Sequence, residues 1–137
     1  MTPDALKAHQ IAALAHALLL AKLDPGHWKP ETWQRWALLA HGMALSGHDG
    51  RNPLGEQLVW ADISESRVTT LLAARGMALR QRLPPFVRLL AKRRVAPNWN
   101  ELGGLLLYDQ RDEAKAEALR IRIASRYFVE RGKRNSA

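Results

Sequence analysis

No cysteine occurs among the 137 residues. Disulfides, thiolate zinc sites and a cysteine nucleophile are therefore excluded together, and a reducing compartment fits that usage. Long apolar runs are missing too. The longest, residues 11–21, is broken by His16 and falls well short of the ~20 residues a membrane span needs. Its flanks lack the basic start and small-residue cleavage site of a secretion signal, so the cytoplasm is the expected location and no membrane partner is expected. The sequence has no HExxH and no GxxxxGKS/T phosphate loop. Its five histidines include no pair at the i,i+4 spacing of a helical metal site, so neither a metal nor a cofactor is expected. Ser46, His48 and Asp49 are neighbours in one loop, and adjacency along the chain is not triad geometry. No catalytic activity is expected.

Cations are in surplus in one half only. Residues 1–62 hold five Lys/Arg against six Asp/Glu, a net of −1, and residues 63–137 hold sixteen against seven, a net of +9. A surplus gathered into one half is an electrostatic footprint for a polyanion. Thirteen of those sixteen cations are arginine, whose planar fork bonds anionic oxygens bidentately and is less strongly hydrated than an ammonium. The division suggests an N-terminal helical lobe, 1–62, and a basic C-terminal helical lobe, 63–137, within one compact unit.

At 47% hydrophobic residues the chain can bury a core. Strand-like alternation, repeats and low-complexity tracts are absent, and helical periodicity dominates. Thr2-Pro3-Asp4 starts a helix that Asp24-Pro25-Gly26 stops. Pro30-Glu31 opens a second, and residues 47–53 form a turn-rich, exposed loop. A short helix over 54–61 follows. Asp62/Glu65 and Asn98/Glu101 have capping-box spacing, the first pair opening a helix that ends near Gly76. Residues 77–95 read as helical, with Pro84-Pro85 expected to break or kink them. A helix over 99–108 and a last one, capped by Asp109 or Asp112 and running to about Arg131, complete an all-α, compact bundle of about seven short helices in two lobes.

On the last helix Arg111, Lys115, Arg122, Arg126 and Lys133 fall within roughly 60° of one another at ~100° per residue. Ile121 and Phe128 flank the row on one side, Leu119 and Ile123 on the other, with Glu113 and Glu117 on the far side. A row of like charges is better explained by a partner's counter-charge than by solvation. Arg80, Arg82, Arg88, Lys92, Arg93 and Arg94 form a second cluster. Trp33, Trp36, Trp60 and Trp99 sit among apolar neighbours and are expected in the core. Trp28, in a Pro/Gly-flanked loop beside His27 and Lys29, is open to a role in base stacking.

From Trp33 onward the chain resembles the small subunit of the type I-E CRISPR surveillance complex (Cascade), the CasB family. The carrying segments are WALLAHGMALSGH (36–48), NPLGEQL (52–58), ISESRVTTLLAARG (63–76), FVRLLAKR (86–93), NWNELGGLLLY (98–108) and RDEAKAEALRIRIASRYF (111–128). The resemblance implies an all-helical two-lobed fold and a non-catalytic subunit that pairs with a second copy of itself. It implies contact with the backbone and large subunits and with the R-loop of guide RNA and target DNA. Guide pairing reads the sequence there, so the protein needs only phosphate contacts. Arg75, Arg88 and Arg111 match basic positions of the family. Lys92, by its cluster, and Lys115, Arg122 and Arg126, by their shared stripe, complete the expected nucleic-acid-binding set. Two rival readings stand beside it. One is a helical adaptor whose basic face docks on acidic protein. The other, weaker, is a helix-turn-helix regulator over residues 64–95.

Overall fold

A computed structural model describes residues 15–16, 18–19, 21–23 and 25–136. Among them are six α-helices and no strand: α1 (Pro30–Ser46), α2 (Leu54–Trp60), α3 (Glu65–Ala73), α4 (Met77–Lys92), α5 (Trp99–Tyr108) and α6 (Glu113–Ser136), with a 3-10 turn at Pro25–His27 before α1. The fold is all-α. Six helices are described from end to end where about seven were expected; residues 15–16 and 18–19 are helical too, and the rest of the expected helix ending near Leu23 lies outside the described residues.

Local chemistry sets most of the boundaries. α1 has Pro30 in its first turn, where a missing N–H costs nothing. Ser64 caps α3 by accepting the Arg67 N–H at 3.2 Å, and Asn98 caps α5 by accepting the Asn100 N–H at 2.9 Å. Asp112 opens α6 by accepting the Lys115 N–H at 3.2 Å. Asp62 does not cap α3. It closes α2 instead, with φ 57°, as Ile63 N–H donates to the Leu58 carbonyl (3.0 Å) and Asp62 N–H to that of Val59 (2.9 Å). Arg94 (φ 59°) ends α4 the same way, Val95 N–H reaching the Leu90 carbonyl at 3.0 Å. α4 therefore stops at Lys92 rather than Val95. Both ends are Schellman turns with a side-chain-bearing residue where glycine is usual.

Pro84 and Pro85 were expected to break or kink α4; they do not break it, and the helix runs through them from Met77 to Lys92. The carbonyls left without donors belong to Arg80 and Gln81, on the partly or fully exposed side of the helix, where water can satisfy them. Leu79, Leu83, Phe86, Val87 and Leu90 stay buried along the other face.

α1 packs on α4, α2 on α6, and α5 on both α1 and α6, while α3 touches α4 and α6. One core runs from Leu38 to Tyr127 and draws on residues from both sides of position 62. Two close approaches hold it. A Cβ on Gly55 of α2 would lie 2.4 Å from the Ile123 carbonyl oxygen of α6, and one on Gly42 of α1 would lie 2.3 Å from the Trp99 ring. Trp99 is the tryptophan that enters this core. Trp33 and Trp36 are only partly buried and Trp60 is 50% exposed, because their helix faces lie at the bundle's edge.

Candidate nucleic-acid interface

The cations of the chain fall into two populations, those neutralised internally and those left outside. Arg35 on α1 and Arg120 on α6 belong to the first. Their side chains are buried against Asp109 at the end of α5, at 3.5 Å and 3.1 Å. Of the two residues expected to cap the last helix, Asp112 does so, and Asp109 accepts both guanidinium groups and the Gly76 N–H (2.7 Å). Glu31 completes the shell around Arg35 at 2.7 Å and reaches Arg80 at 3.3 Å, so Arg80 turns towards α1 and away from the basic cluster. Glu113 and Glu117 complete the shell around Arg120 at 3.1 and 3.2 Å. The Arg35 guanidinium, by hydrogen bonding, holds the Glu31 carboxyl below its ordinary value. The Gln110 N–H, then Arg120, does the same for Glu113.

Sequence reasoning missed this network, because neither Arg35 nor Arg120 sits in a motif that marks a buried ion pair. One signal was present: Arg120 shares the 116/123/127 face of α6, which is buried. Glu101 was also misread. It does not return to cap its own helix. Its carboxylate accepts the Leu54 N–H at 2.9 Å, capping α2, whose Pro53 has no side-chain acceptor.

The expected binding residues divide accordingly. Arg75, in the α3–α4 turn, donates to the carbonyls of Leu72 (2.8 Å) and Ala74 (3.2 Å) and lies 3.7 Å from Glu117. Arg122 lies 3.3 Å from Glu101 but remains largely exposed. Lys115 is 3.9 Å from Asp112 and sits 5.2 Å from the centre of the Tyr108 ring. Arg88, Lys92, Arg111 and Arg126 are exposed and have no ion-pair partner among the described residues. Arg93 donates to the Ala61 and Asp62 carbonyls at 2.7 and 3.0 Å, at the negative end of α2.

Lys115, Arg122, Arg126 and Lys133 share α6. Arg111 lies in the turn before it, so the helical stripe is shorter at that end than the periodicity suggested. Ile121 and Phe128 beside the stripe are 60% and 47% exposed, and Ile123 is buried. Arg88 and Lys92 project from α4, which packs against α1 and α3, so the two basic groups stand on separate helices.

Ser46 Oγ donates to the Gly42 carbonyl (2.8 Å), and His48 Nδ1 accepts the Trp99 N–H (3.0 Å). Both are engaged in fixing the start of α5 and the end of α1. Among the described residues no group of three or more metal-ligating side chains is assembled, and no helix is long and apolar enough to cross a membrane.

The family model of CRISPR-associated protein Cse2 matches residues 4–128. The chain belongs to the Cse2 family. That family, also called CasB, is the small subunit of type I-E Cascade, which makes this chain a subunit of that complex. Neither curated proteins nor solved structures give a match.

Proposed function

We propose that this Cse2-family subunit binds the phosphates of the Cascade R-loop, steadying target and displaced strands in antiviral defence while catalysing nothing itself. The observation that carries this reading is the split among the cations. Internal acids are committed to Arg35, Arg80 and Arg120, whereas Arg88, Lys92, Arg111 and Arg126 face solvent without a counter-charge among the described residues. Such cations release condensed counterions when they meet a polyphosphate, a sequence-independent gain. The basic 63–137 part supplies this surface. The cytoplasm is the proposed location, with backbone subunits, the large subunit and a second copy as proposed neighbours.

Fluorescence anisotropy with labelled single-stranded and duplex DNA over a range of salt tests the reading. Affinity should fall linearly with salt on logarithmic axes, independently of sequence. Binding indifferent to salt would end the proposal.

A second reading has its own support. Ile121, Phe128 and Val129 are exposed beside the α6 cations, a mixture that also suits an acidic protein surface. Crosslinking from α6 in assembled Cascade separates the two: nucleic-acid adducts favour the first, protein adducts alone the adaptor.

A further inference from the structure

A cavity of about 500 Å³ is lined by Trp28, Lys29, Glu31, Arg35, Gln110 and Arg111. It lies where the Pro25–His27 turn and the start of α1 meet the α5–α6 turn. Its volume is in the range of small-ligand sites. We propose that it receives one unstacked nucleotide of a single strand, the base lying on Trp28 and the phosphate between Lys29 and Arg111. This rests on the phosphate-binding reading above and adds to it a place for a base.

Four observations converge on the cavity. Trp28 is stacked on Trp36, with ring centres 5.5 Å apart and planes at 14°, and meets Trp33 edge-on at 5.7 Å. The stack fixes the indole before any ligand arrives, and a base on its other face would extend the pile. Bases of any sequence stack on aromatic rings, which suits a protein that does not read sequence. Lys29 and Arg111 are exposed and carry no internal counter-charge among the described residues. Glu31, the acid in the wall, is already committed to Arg35 and Arg80.

The remaining two concern Gln110 and Arg35. Gln110 has φ 63°, a conformation side-chain-bearing residues seldom adopt. Its side-chain amide has no hydrogen-bond partner among the described residues, leaving a donor and an acceptor for a base edge. Arg35, with a side chain that is fully buried, has an Nε without a partner. That N–H has no solvent-accessible surface in the unliganded chain, so an incoming oxygen satisfies it only after a small shift of the cavity wall.

The test uses the full chain and two probes of equal length and charge, a single-stranded oligodeoxynucleotide and its fully abasic counterpart. The wild-type protein should prefer the base-bearing probe by roughly five- to a hundredfold. Trp28→Ala should bring the two affinities together while leaving the abasic affinity and its salt slope unchanged, and Trp28→Phe should keep most of the preference. Because the chain has no cysteine, Thr32→Cys places a single thiol at the cavity wall. Alkylation with a bulky maleimide then fills the cavity in already folded protein and should abolish the preference. Equal, salt-dependent binding of both probes by the wild type overturns the nucleotide site and leaves phosphate binding standing. So does a preference that survives both Trp28→Ala and the alkylated thiol. Failure of both probes to bind in a salt-dependent way overturns both readings.

Discussion

Arg120 and Asp109 meet at 3.1 Å with both side chains out of solvent, and Arg35 approaches the other Asp109 oxygen at 3.5 Å. One carboxylate thus joins α1, α5 and α6, and through the Gly76 N–H it also fixes the α3–α4 turn. Buried ion pairs of this kind are poor stabilisers relative to apolar packing, since desolvation offsets most of the attraction. Their contribution is better read as geometric. Only one docking of the helices satisfies all the partners, and that docking sets the turn from which Arg111 projects.

Asp109→Asn removes the one fully buried anion and leaves Arg35 and Arg120 only the partly exposed carboxylates of Glu31, Glu113 and Glu117. A loss of about 3–5 kcal/mol is expected, a large share of a small domain's total stability. Urea denaturation measures it directly. A loss below about 1 kcal/mol would show that water or rearrangement satisfies Arg35 and Arg120 without Asp109.

The exposed shell of the same network predicts an acid limb. The Gln110 N–H and then Arg120 hold Glu113 below its ordinary value of 4.5, and Arg35 does likewise for Glu31. A carboxyl with a depressed folded pKa gives stability that is fully present above its unfolded pKa. That stability is lost as pH falls through the folded value. Melting temperature should therefore decline below about pH 4.5, and Glu113→Gln should melt lower at neutral pH with a shallower decline on acidification. Thermal melts between neutral pH and about pH 3 check both slopes.

Two glycines separate backbone contact from free space. At Gly55 a Cβ would press on Ile123 O at 2.4 Å and Tyr127 N at 2.5 Å, backbone atoms that cannot rotate aside. Gly55→Ala should cost about 1–3 kcal/mol or more by driving α2 off α6. Gly132 lies within α6 with nothing within 4 Å of an added Cβ, so Gly132→Ala should stabilise by about 0.5–1 kcal/mol. Parallel denaturant curves of the two variants give the comparison, and two changes of the same sign would contradict it.

Much of this architecture was legible from residues acting within a turn or two of themselves. Pro30, Asn98 and Asp112 mark the helix starts that their chemistry requires, and the buried 116/123/127 face of α6 follows the helical period. What stayed hidden depended on groups distant in sequence. Glu101 has the spacing of a self-capping residue, yet the unmet Leu54 N–H 47 residues away competes for the same carboxylate and takes it. Asp62 and Arg94 occupy left-handed positions where glycine usually signals a helix end; the end of α2 was still read to within one residue, whereas that of α4 was not. The Pro84-Pro85 pair reads as a break until tertiary contacts are counted. Leu83, Phe86 and Val87 bury enough apolar surface to hold the helix together across it. The binding surface was legible as a population of arginines. Which of them are free was not, because that depends on where Glu31, Asp109 and Glu117 end up.

That distinction ranks the basic residues. The Arg75 guanidinium already donates to two carbonyls and lies beside Glu117, so contact with a phosphate would require giving up internal partners. Arg88 and Arg126 have none to give up among the described residues. Arg88→Ala and Arg126→Ala should each reduce the logarithmic salt slope of single-strand binding by about 0.7, the value for one lost phosphate contact. Arg75→Ala should leave the slope nearly unchanged, and Arg122→Ala, whose partner Glu101 lies 3.3 Å away, should fall between them. Salt titrations of the four variants supply the order. If Arg75→Ala lost as much as Arg88→Ala, intrachain pairing would not govern which cations reach phosphate, and the argument that assigns the interface to the unpaired arginines would fail with it.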